Sequence, residues 1–83
     1  MARLDMATAF GEVMRGFREK AGLSQEALAD RAGLHRTYVS MLERGKRNAT
    51  LLVVSMLAAA LAVTMTAMIG ELEKRLRSRT PGR

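Results

Sequence analysis

The segment spanning residues 23–45 (LSQEALADRAGLHRTYVSMLERG) constrains the fold of this chain more than any other. Ser24 can cap a short first helix, because its side-chain oxygen can accept a hydrogen bond from a free N–H of the first turn. Gly33 can end that helix, since glycine adopts the left-handed conformation of a tight turn without steric cost. A second helix then begins near His35 or Arg36 and stops at the glycine that closes the segment. The segment therefore predicts two short helices joined by a tight turn.

The two sides of the second helix differ in chemistry. Val39 and Leu42 are three residues apart, so they share a face and are expected to point into the core. The opposite side carries groups that form hydrogen bonds or reach far from the backbone, as readout of base edges in a DNA groove requires. These side chains are Arg36, Thr37, Ser40, Met41 and Arg44. The pattern indicates a helix-turn-helix whose second helix is a recognition helix.

Length and charge narrow the classes of function. At 83 residues the chain is expected to form one small domain, without room for an effector-binding domain and with a marginal core that a second copy would help to stabilise. The net charge of +6 favours a polyanionic partner, although charge alone also fits a merely soluble protein. The distribution of the charge favours the polyanionic partner, because residues 31–48 contain five arginines or lysines and a single glutamate. Double-stranded DNA is the expected partner.

Side chains that carry chemistry are scarce. The chain has no cysteine and one histidine, so neither a disulfide nor a metal site is expected. No nucleophile–base pair is visible, and the chain is therefore expected to have no catalytic residues, no cofactor and no small-molecule ligand. The first residues carry the charges of Arg3 and Asp5 and no apolar run, so no secretion signal is predicted and a cytoplasmic location is expected.

The remainder of the chain predicts three more helices. Asp5 is expected to cap a first helix that ends at Gly22. Thr50 and Thr64 are expected to cap the fourth and fifth helices, which follow the central segment. The predicted fold class is therefore all-α, with five helices.

Three apolar sets supply the expected packing. The core face of the first helix is assigned to Phe10, Val13, Met14, Phe17 and Ala21. The packing residues of the fourth helix are Leu51, Leu52, Val54, Leu57, Ala58 and Leu61. The fifth helix has an amphipathic stripe of Met65, Met68, Ile69, Leu72 and Leu76. That helix is expected to fray around residue 77, so residues 1–77 are predicted to form the domain and residues 78–83 a disordered basic tail.

The uncharged stretch at residues 48–70 leaves one alternative open. It is apolar enough to pass a window test for a transmembrane helix. The two threonine caps within it fit two helices with a corner at Val63 and Thr64 better than one rod, so no membrane contact is expected. The surplus apolar surface then needs another partner, and a patch shared by two copies is the simplest one.

The motifs LSQEALA, AGL, RTYVS, LERG and the following KRN occur together and in register. In this combination the chain resembles the Cro/repressor (XRE-type) helix-turn-helix family, and most of all the small controller proteins of restriction–modification systems. The resemblance covers about residues 10–69. It implies a lambda-repressor-like DNA-binding domain that regulates transcription. Controller proteins commonly bind their own promoter region and activate, then repress, as their concentration rises.

The resemblance assigns base-reading residues position by position. Arg36 and Thr37 begin the recognition helix and are expected to point at base edges. Arg36 has paired donors that suit guanine O6 and N7, a contact that discriminates by about 1–3 kcal/mol. Ser40, one turn further on, can still reach a base. Met41 departs from the polar residue common in relatives, and it either packs on a thymine methyl group or turns aside.

A second set of residues is expected to contact the DNA backbone. By resemblance, Gln25 at the amino end of the second helix touches a phosphate and can brace the residue matching Arg36. His35 is expected at the start of the recognition helix as a capping or phosphate-facing group. Tyr38 either contacts DNA through its hydroxyl or packs its ring against the second helix. The flanking phosphate contacts are assigned to Arg44, Lys46, Arg47 and Asn48.

The resemblance also implies an ion pair between Arg18 of the first helix and Glu43 of the LERG segment. A buried or half-buried pair would hold the recognition helix against the first helix, although its net stabilisation need not be large. The alternative is two separate surface charges.

One recognition helix reads too few base pairs to specify a genomic site. A two-fold homodimer on an inverted repeat is therefore expected, with the two helices about 34 Å apart. Its interface is assigned to Leu61, Met65, Met68, Ile69 and Leu72. The alternative is that these side chains are all core. The sequence also leaves open a phage-type repressor, an antitoxin, and a protein-interaction module that docks through the apolar fourth and fifth helices.

Overall fold

Five α-helices and their connections make up the part of the chain that the computed structural model describes, residues 2–79. In chain order they are α1 (Ala2–Lys20), α2 (Gln25–Ala32), α3 (Arg36–Glu43), α4 (Leu51–Leu61) and α5 (Met65–Arg79). Within this range no residue belongs to a strand. The predicted all-α, five-helix fold is confirmed, and α2 and α3 are the two helices of the central segment.

Three of the helices begin at a side chain that accepts a hydrogen bond from the first turn. Ser24 Oγ accepts from the backbone N–H three residues later at 3.0 Å. Thr50 Oγ1 and Thr64 Oγ1 make the equivalent bonds at 3.1 Å and 2.9 Å. Each bond satisfies one of the N–H groups that a helix start leaves without a partner. The three caps predicted before α2, α4 and α5 are thus confirmed.

The outer ends of the chain differ from the prediction. α1 begins at Ala2 and already contains Asp5, so the prediction that Asp5 caps this helix is wrong. The residues before Asp5 include alanine, arginine and leucine, which are good helix formers and extend the helix upstream. At the other end α5 continues to Arg79, so residues 78 and 79 are helical rather than part of a disordered tail. The rest of that predicted tail, residues 80–83, lies outside the described residues.

The core is formed by one face of every helix, with α1 packed against α3, α4 and α5. Its largest side chains are Phe10, Val13, Met14, Leu28, Val39, Leu42, Val54, Leu57, Leu61, Met68 and Leu72. Phe17 lies half-buried at its edge, whereas Ala21 lies beyond the end of α1 and is exposed, contrary to the prediction.

The first two residues of α4 are also exposed against expectation. Leu51 is 75% exposed and Leu52 is 68% exposed, although both were predicted to be packing residues of this helix. The physical reason is that α4 is apolar on every side, so its sequence does not indicate which side faces the core. The buried side carries Val54, Leu57 and Leu61 instead.

α4 and α5 meet at the predicted corner. Ala62 adopts the left-handed conformation with a φ of 58°, Thr64 caps the next helix, and the two helix axes are bent by 110°. Among the described residues no single helix has the length and apolar character needed to cross a membrane. α4 and α5 meet those two criteria only when they are taken together, as a bent pair.

Two glycines allow α1 to approach the carboxyl end of α3 closely. A Cβ atom on Gly11 would lie 2.5 Å from the carbonyl oxygen of Leu42 and 2.6 Å from that of Glu43. Gly45, just after α3, has a φ of 73°, and a Cβ atom there would lie 2.9 Å from Thr8 Oγ1. The end of α3 is therefore held by backbone contact with α1, which leaves no space for a side chain at residue 11.

Replacing Gly11 by alanine is expected to lower the free energy of unfolding by about 1–3 kcal/mol, because the added methyl group must push apart two backbones. Gly16→Ala is the matched control, since Gly16 lies in the same helix with open space around its Cβ position. The control is expected to stabilise the chain by about 0.5–1 kcal/mol, because alanine favours helix. Urea unfolding followed by circular dichroism compares the two, and equal stability of both variants would contradict the close approach.

Candidate nucleic-acid interface

α3 presents a polar side to solvent and an apolar side to the core. Val39 and Leu42 are fully buried. The predicted base-reading residues lie on the opposite side of the helix, where Arg36 and Thr37 are exposed while Ser40 and Met41 are half-buried. All four project from one helix that the remainder of the domain holds in place. The structure therefore brings the predicted reading residues together on one accessible surface.

The turn between α2 and α3 sets the orientation of α3 relative to α2. Gly33 has a φ of 72°, and the N–H of Leu34 donates to the carbonyl of Ala29 at 2.9 Å. This bond closes the end of α2 in the manner of a glycine-terminated helix. His35 then occupies the cap position of α3, is exposed, and makes no side-chain capping bond. His35 was predicted either to cap α3 or to face a phosphate, and the structure shows no capping bond from its side chain.

Arg18 and Glu43 meet between α1 and the end of α3. Arg18 Nε donates to Glu43 Oε2 at 2.6 Å, and Arg18 Nη2 donates to Glu43 Oε1 at 3.0 Å, which makes the pair bidentate. The side chains are only 12% and 3% exposed. Arg18 Nη1 also donates to the carbonyl of Leu23 at 2.8 Å. The hydrogen bonds from Arg18 to Glu43 raise the pKa of Arg18 above its usual value, so the guanidinium keeps its charge at any pH near neutrality.

Gln25 also contacts Glu43. Its Nε2 donates to Glu43 Oε1 at 3.0 Å, so the first residue of α2 is bonded to the last residue of α3. The sequence predicted a phosphate contact and a brace to Arg36 for Gln25, and gave no signal for this partner. The signal was available only in three dimensions, because 18 residues separate Gln25 from Glu43.

Tyr38 lies in the first turn of α3, and Arg44 is the residue that follows its last turn. Tyr38 is half-buried and packs against the hydrophobic core, and both of its predicted roles, a DNA contact through the hydroxyl and packing of the ring against α2, stay predictions. Arg44 is exposed, and its Nε donates to the carbonyl of Ser40 at 3.4 Å.

The basic loop after α3 stays close to that helix. The N–H of Lys46 donates to the carbonyl of Met41 at 2.9 Å, which turns the chain back on the last turn of α3. Lys46, Arg47 and Asn48 are all exposed. The predicted phosphate-binding cations therefore lie directly beside the end of the recognition helix.

The predicted dimer residues do not form one exposed patch. Leu61, Met68 and Leu72 are buried in the core of the single chain, so their assignment to an interface is wrong. The stripe of α5 was read correctly as apolar, but it faces α1 and α4. Met65 and Ile69 are half-buried and remain partly accessible.

A different apolar surface is exposed on the single chain. It runs along the outer side of α4 and is here called the α4 outer surface, formed by Leu51, Leu52, Ser55, Met56 and Ala59. No member carries a charge, and its first two residues are largely exposed. The all-round apolar character of α4 was the available signal, because a helix apolar on every side usually has every side covered.

Within residues 2–79 no three histidine, cysteine, aspartate or glutamate side chains are grouped so that they could hold a metal ion. The surface defined by α3 and its basic loop is cationic, apart from the paired Glu43. Its chemistry is that of hydrogen-bond donors and positive charge, which suits contact with base edges and phosphates.

A short helix, a glycine turn and a second helix with an exposed polar side define a helix-turn-helix protein. The chain belongs to the helix-turn-helix family of the XRE type, and the family model matches residues 14–68. The resemblance drawn from the LSQEALA and LERG motifs is thereby confirmed.

The relatives of this chain include control proteins. It is 38% identical over 71 residues to control protein C.MunI from Mycoplasma sp, a match that covers 84% of this chain and 96% of that protein. The crystal structure of the restriction-modification controller protein C.AhdI from Aeromonas hydrophila is 42% identical, with a TM-score of 0.73 over 75% of this chain and 94% of that one. The controller protein C.Esp1396I, crystallised as a tetramer with its 35-base-pair operator, is 29% identical, with a TM-score of 0.80 over 87% and 95% of the two chains.

Removal of the Glu43 carboxylate is expected to destabilise the domain. Glu43→Ala leaves the mostly buried Arg18 guanidinium without its counter-ion and is expected to lower the free energy of unfolding by about 3 kcal/mol. The control is Glu19→Ala, which removes an exposed partner of Arg15 and is expected to change stability by less than about 0.5 kcal/mol. Thermal unfolding measures both, and a Glu43 variant as stable as the control would show that the pair has no structural role.

Proposed function

We propose that this chain is a sequence-specific, dimeric transcriptional regulator that binds an inverted-repeat operator in double-stranded DNA, and that it acts as a restriction–modification controller protein. One observation carries this proposal, namely the exposed polar side of α3 beside a cationic loop. α3 has the diameter of an ordinary helix, which the major groove of DNA admits.

Base readout is assigned to the first turns of α3. Arg36 is exposed at the amino end of the helix, and its planar donors match the two acceptors on the major-groove edge of guanine. Thr37 adds a hydroxyl and a methyl group beside it, and Ser40 and Met41 follow on the same side. Met41 is half-buried, and its exposed part is assigned to a contact with a thymine methyl group.

Backbone contacts are assigned to the groups around this surface. The exposed cations Arg44, Lys46 and Arg47 follow the end of α3, with Asn48 beside them. Gln25 begins α2, where backbone N–H groups and the helix dipole favour a phosphate. His35 at the cap position of α3 and Tyr38 in its first turn complete the proposed set. These contacts fix the register of the protein on DNA without specifying sequence.

The α4 outer surface is assigned to the contact between two subunits. Its leucines are exposed, it carries no charge that would repel a second copy, and it begins next to the basic loop. Met65 and Ile69 of α5 remain accessible enough to extend the contact. A two-fold axis through this surface would form each contact twice, as in other self-complementary interfaces.

The relatives support the proposal that the chain is a restriction–modification controller protein. Control proteins are found among them, and one controller protein has been crystallised as a tetramer on its operator. A regulator of this kind works on promoter DNA in the cytoplasm and performs no catalysis. The exposed leucines of α4 also fit a module that docks another protein, and the solution state of the chain distinguishes these two uses.

Selection from a pool of random DNA duplexes, followed by electrophoretic mobility shift of the selected sequence, tests the proposal. Enrichment of an inverted repeat is the expected result, and its presence upstream of the chain's own coding region would support the controller assignment. Recovery of no preferred sequence would overturn sequence-specific binding.

Two substitutions distinguish residues that read base edges from residues that contact the DNA backbone. Arg36→Ala is expected to relax the preference at one base pair in each arm of the repeat, at a loss of about 1–3 kcal/mol for each contact. Lys46→Ala is expected to weaken binding to all sequences alike and to reduce the slope of log K against log salt by about one for each subunit. Affinities for duplexes with single base changes, measured at several salt concentrations, check both. Identical behaviour of the two variants would contradict the division.

The α4 outer surface is tested by Leu52→Gln. Each dimer would lose two apolar side chains from its interface, and the dimer dissociation constant is expected to rise by about 100-fold. Met6→Gln is the control, because Met6 is also exposed, at 43%, but lies on α1. Sedimentation equilibrium gives the dissociation constants. If the wild-type chain remains monomeric at micromolar concentration, the proposed dimer is wrong. If the Leu52 variant dimerises normally, only the assignment of the interface to the α4 outer surface is wrong.

A further inference from the structure

Met41 is the apolar member of the set of side chains proposed to read DNA. It is half-buried, and its neighbours in that set offer N–H and O–H groups instead. Its backbone is held in place, because the N–H of Lys46 donates to its carbonyl at 2.9 Å and the next residue, Leu42, is fully buried. A chemical change in the Met41 side chain would therefore be presented to DNA at a fixed place, since α3 cannot rotate to withdraw it.

The thioether of Met41 is also open to oxidation. The chain has no cysteine, so its seven methionines are the side chains that a peroxide oxidises most readily. Burial divides these methionines, because Met14 and Met68 are 0% exposed while Met6 is 43% exposed. Met41 is half-buried and keeps part of its side chain accessible. An oxidant in solution can therefore change the side of α3 proposed to read DNA and leave the methionines of the core unchanged.

Oxidation of a thioether by hydrogen peroxide adds one oxygen atom. A lone pair of the sulfur attacks one peroxide oxygen, so an S–O bond forms while the O–O bond breaks. The second oxygen leaves as hydroxide and takes up the proton carried by the first, which gives a sulfoxide and water. The sulfur loses two electrons, and the peroxide gains them. The product is polar, whereas the thioether accepts hydrogen bonds only weakly.

The two forms of Met41 differ in how they suit a thymine. The methyl group of thymine is an apolar contact on the major-groove edge, and the flexible thioether packs against it without losing a hydrogen bond. A sulfoxide oxygen placed against the same methyl group loses its hydrogen bonds to water and gains none. Oxidation therefore removes the reason to prefer thymine at this position.

We propose that Met41 is a modification site, at which oxidation to the sulfoxide by hydrogen peroxide or a similar two-electron oxidant abolishes the preference for one thymine in each arm of the operator and weakens operator binding. The proposal rests on the proposed function and adds regulation to the same surface. The effector is a small peroxide, which reacts at the exposed sulfur and needs no binding cavity. Methionine sulfoxide reductases reverse the reaction, so the effect is reversible.

The first measurement is the affinity for the selected duplex before and after treatment of the chain with hydrogen peroxide. Peptide mass spectrometry shows the gain of one oxygen at Met41. The affinity is expected to fall by about tenfold for each arm, because a polar group is then buried against DNA without a partner. Treatment with methionine sulfoxide reductases is expected to restore it.

Met41→Leu is the matched variant, because leucine is apolar and does not react with peroxide. Each chain is compared only with itself before and after treatment, so the starting affinity of the variant does not enter. The variant keeps every other accessible methionine, including Met56 of the α4 outer surface, so a loss caused by weaker dimerisation appears equally in both chains. The loss specific to Met41 is the difference between the two chains.

Duplexes in which one thymine at a time is replaced by uracil locate the contact, since uracil lacks only the methyl group. Before oxidation, one replacement in each arm is expected to lower the affinity by about fourfold, the worth of one methyl group removed from water. After oxidation the same replacement is expected to have no effect. A purely structural role of Met41 would instead lower the affinity for every duplex alike and leave the response to uracil unchanged.

The outcomes distinguish this proposal from the proposed function. Failure to select any preferred duplex overturns sequence-specific binding itself. The modification site is overturned, with DNA binding intact, if Met41 stays unoxidised while Met6 is oxidised, or if the wild-type chain and the Met41→Leu variant lose the same affinity. It is also overturned if no uracil replacement has an effect that disappears on oxidation.

Discussion

The pair between Arg18 and Glu43 is the interaction on which the arrangement of the first three helices depends. It joins α1 to the end of α3 through two hydrogen bonds, and Gln25 joins α2 to the same carboxylate. Burying two charges is costly, and the attraction between them offsets that cost only when the geometry is good and the remaining hydrogen-bonding positions are filled. Both conditions hold here, since no buried side-chain nitrogen or oxygen among the described residues lacks a partner. The pair therefore contributes more to the placement of α3 than to net stability.

Local sequence signals predicted the helix-turn-helix well because local interactions create it. The caps of Ser24, Thr50 and Thr64 involve an N–H only three residues away, and Gly33 acts at its own position. The spacing of Val39 and Leu42 placed one face of α3 in the core, and the structure agrees. For elements of this kind, a window of a few residues contains the physical cause.

The surfaces beyond that segment required information that the sequence does not carry. α4 is apolar all round, and its periodicity therefore could not show that Leu51 and Leu52 face outward. The stripe of α5 marked a buried face correctly, but only packing shows whether the covering surface belongs to the same chain, as it does for Met68 and Leu72. The bond from Gln25 to Glu43 depends on how α2 and α3 cross, which no local pattern encodes.

α1 connects the two sides of the molecule. Gly11 lies against the end of α3, and the same helix packs against α4, whose outer surface is proposed to meet a second subunit. The side of the domain proposed to meet DNA and the side proposed to meet a second subunit are thus fixed to one helix. In a two-fold assembly the distance between half-sites would then follow from the shape of each subunit, established when the chain folds. An operator with an altered spacer would have to deform to match this distance. The protein could not adjust to it, because only short connections join its described helices.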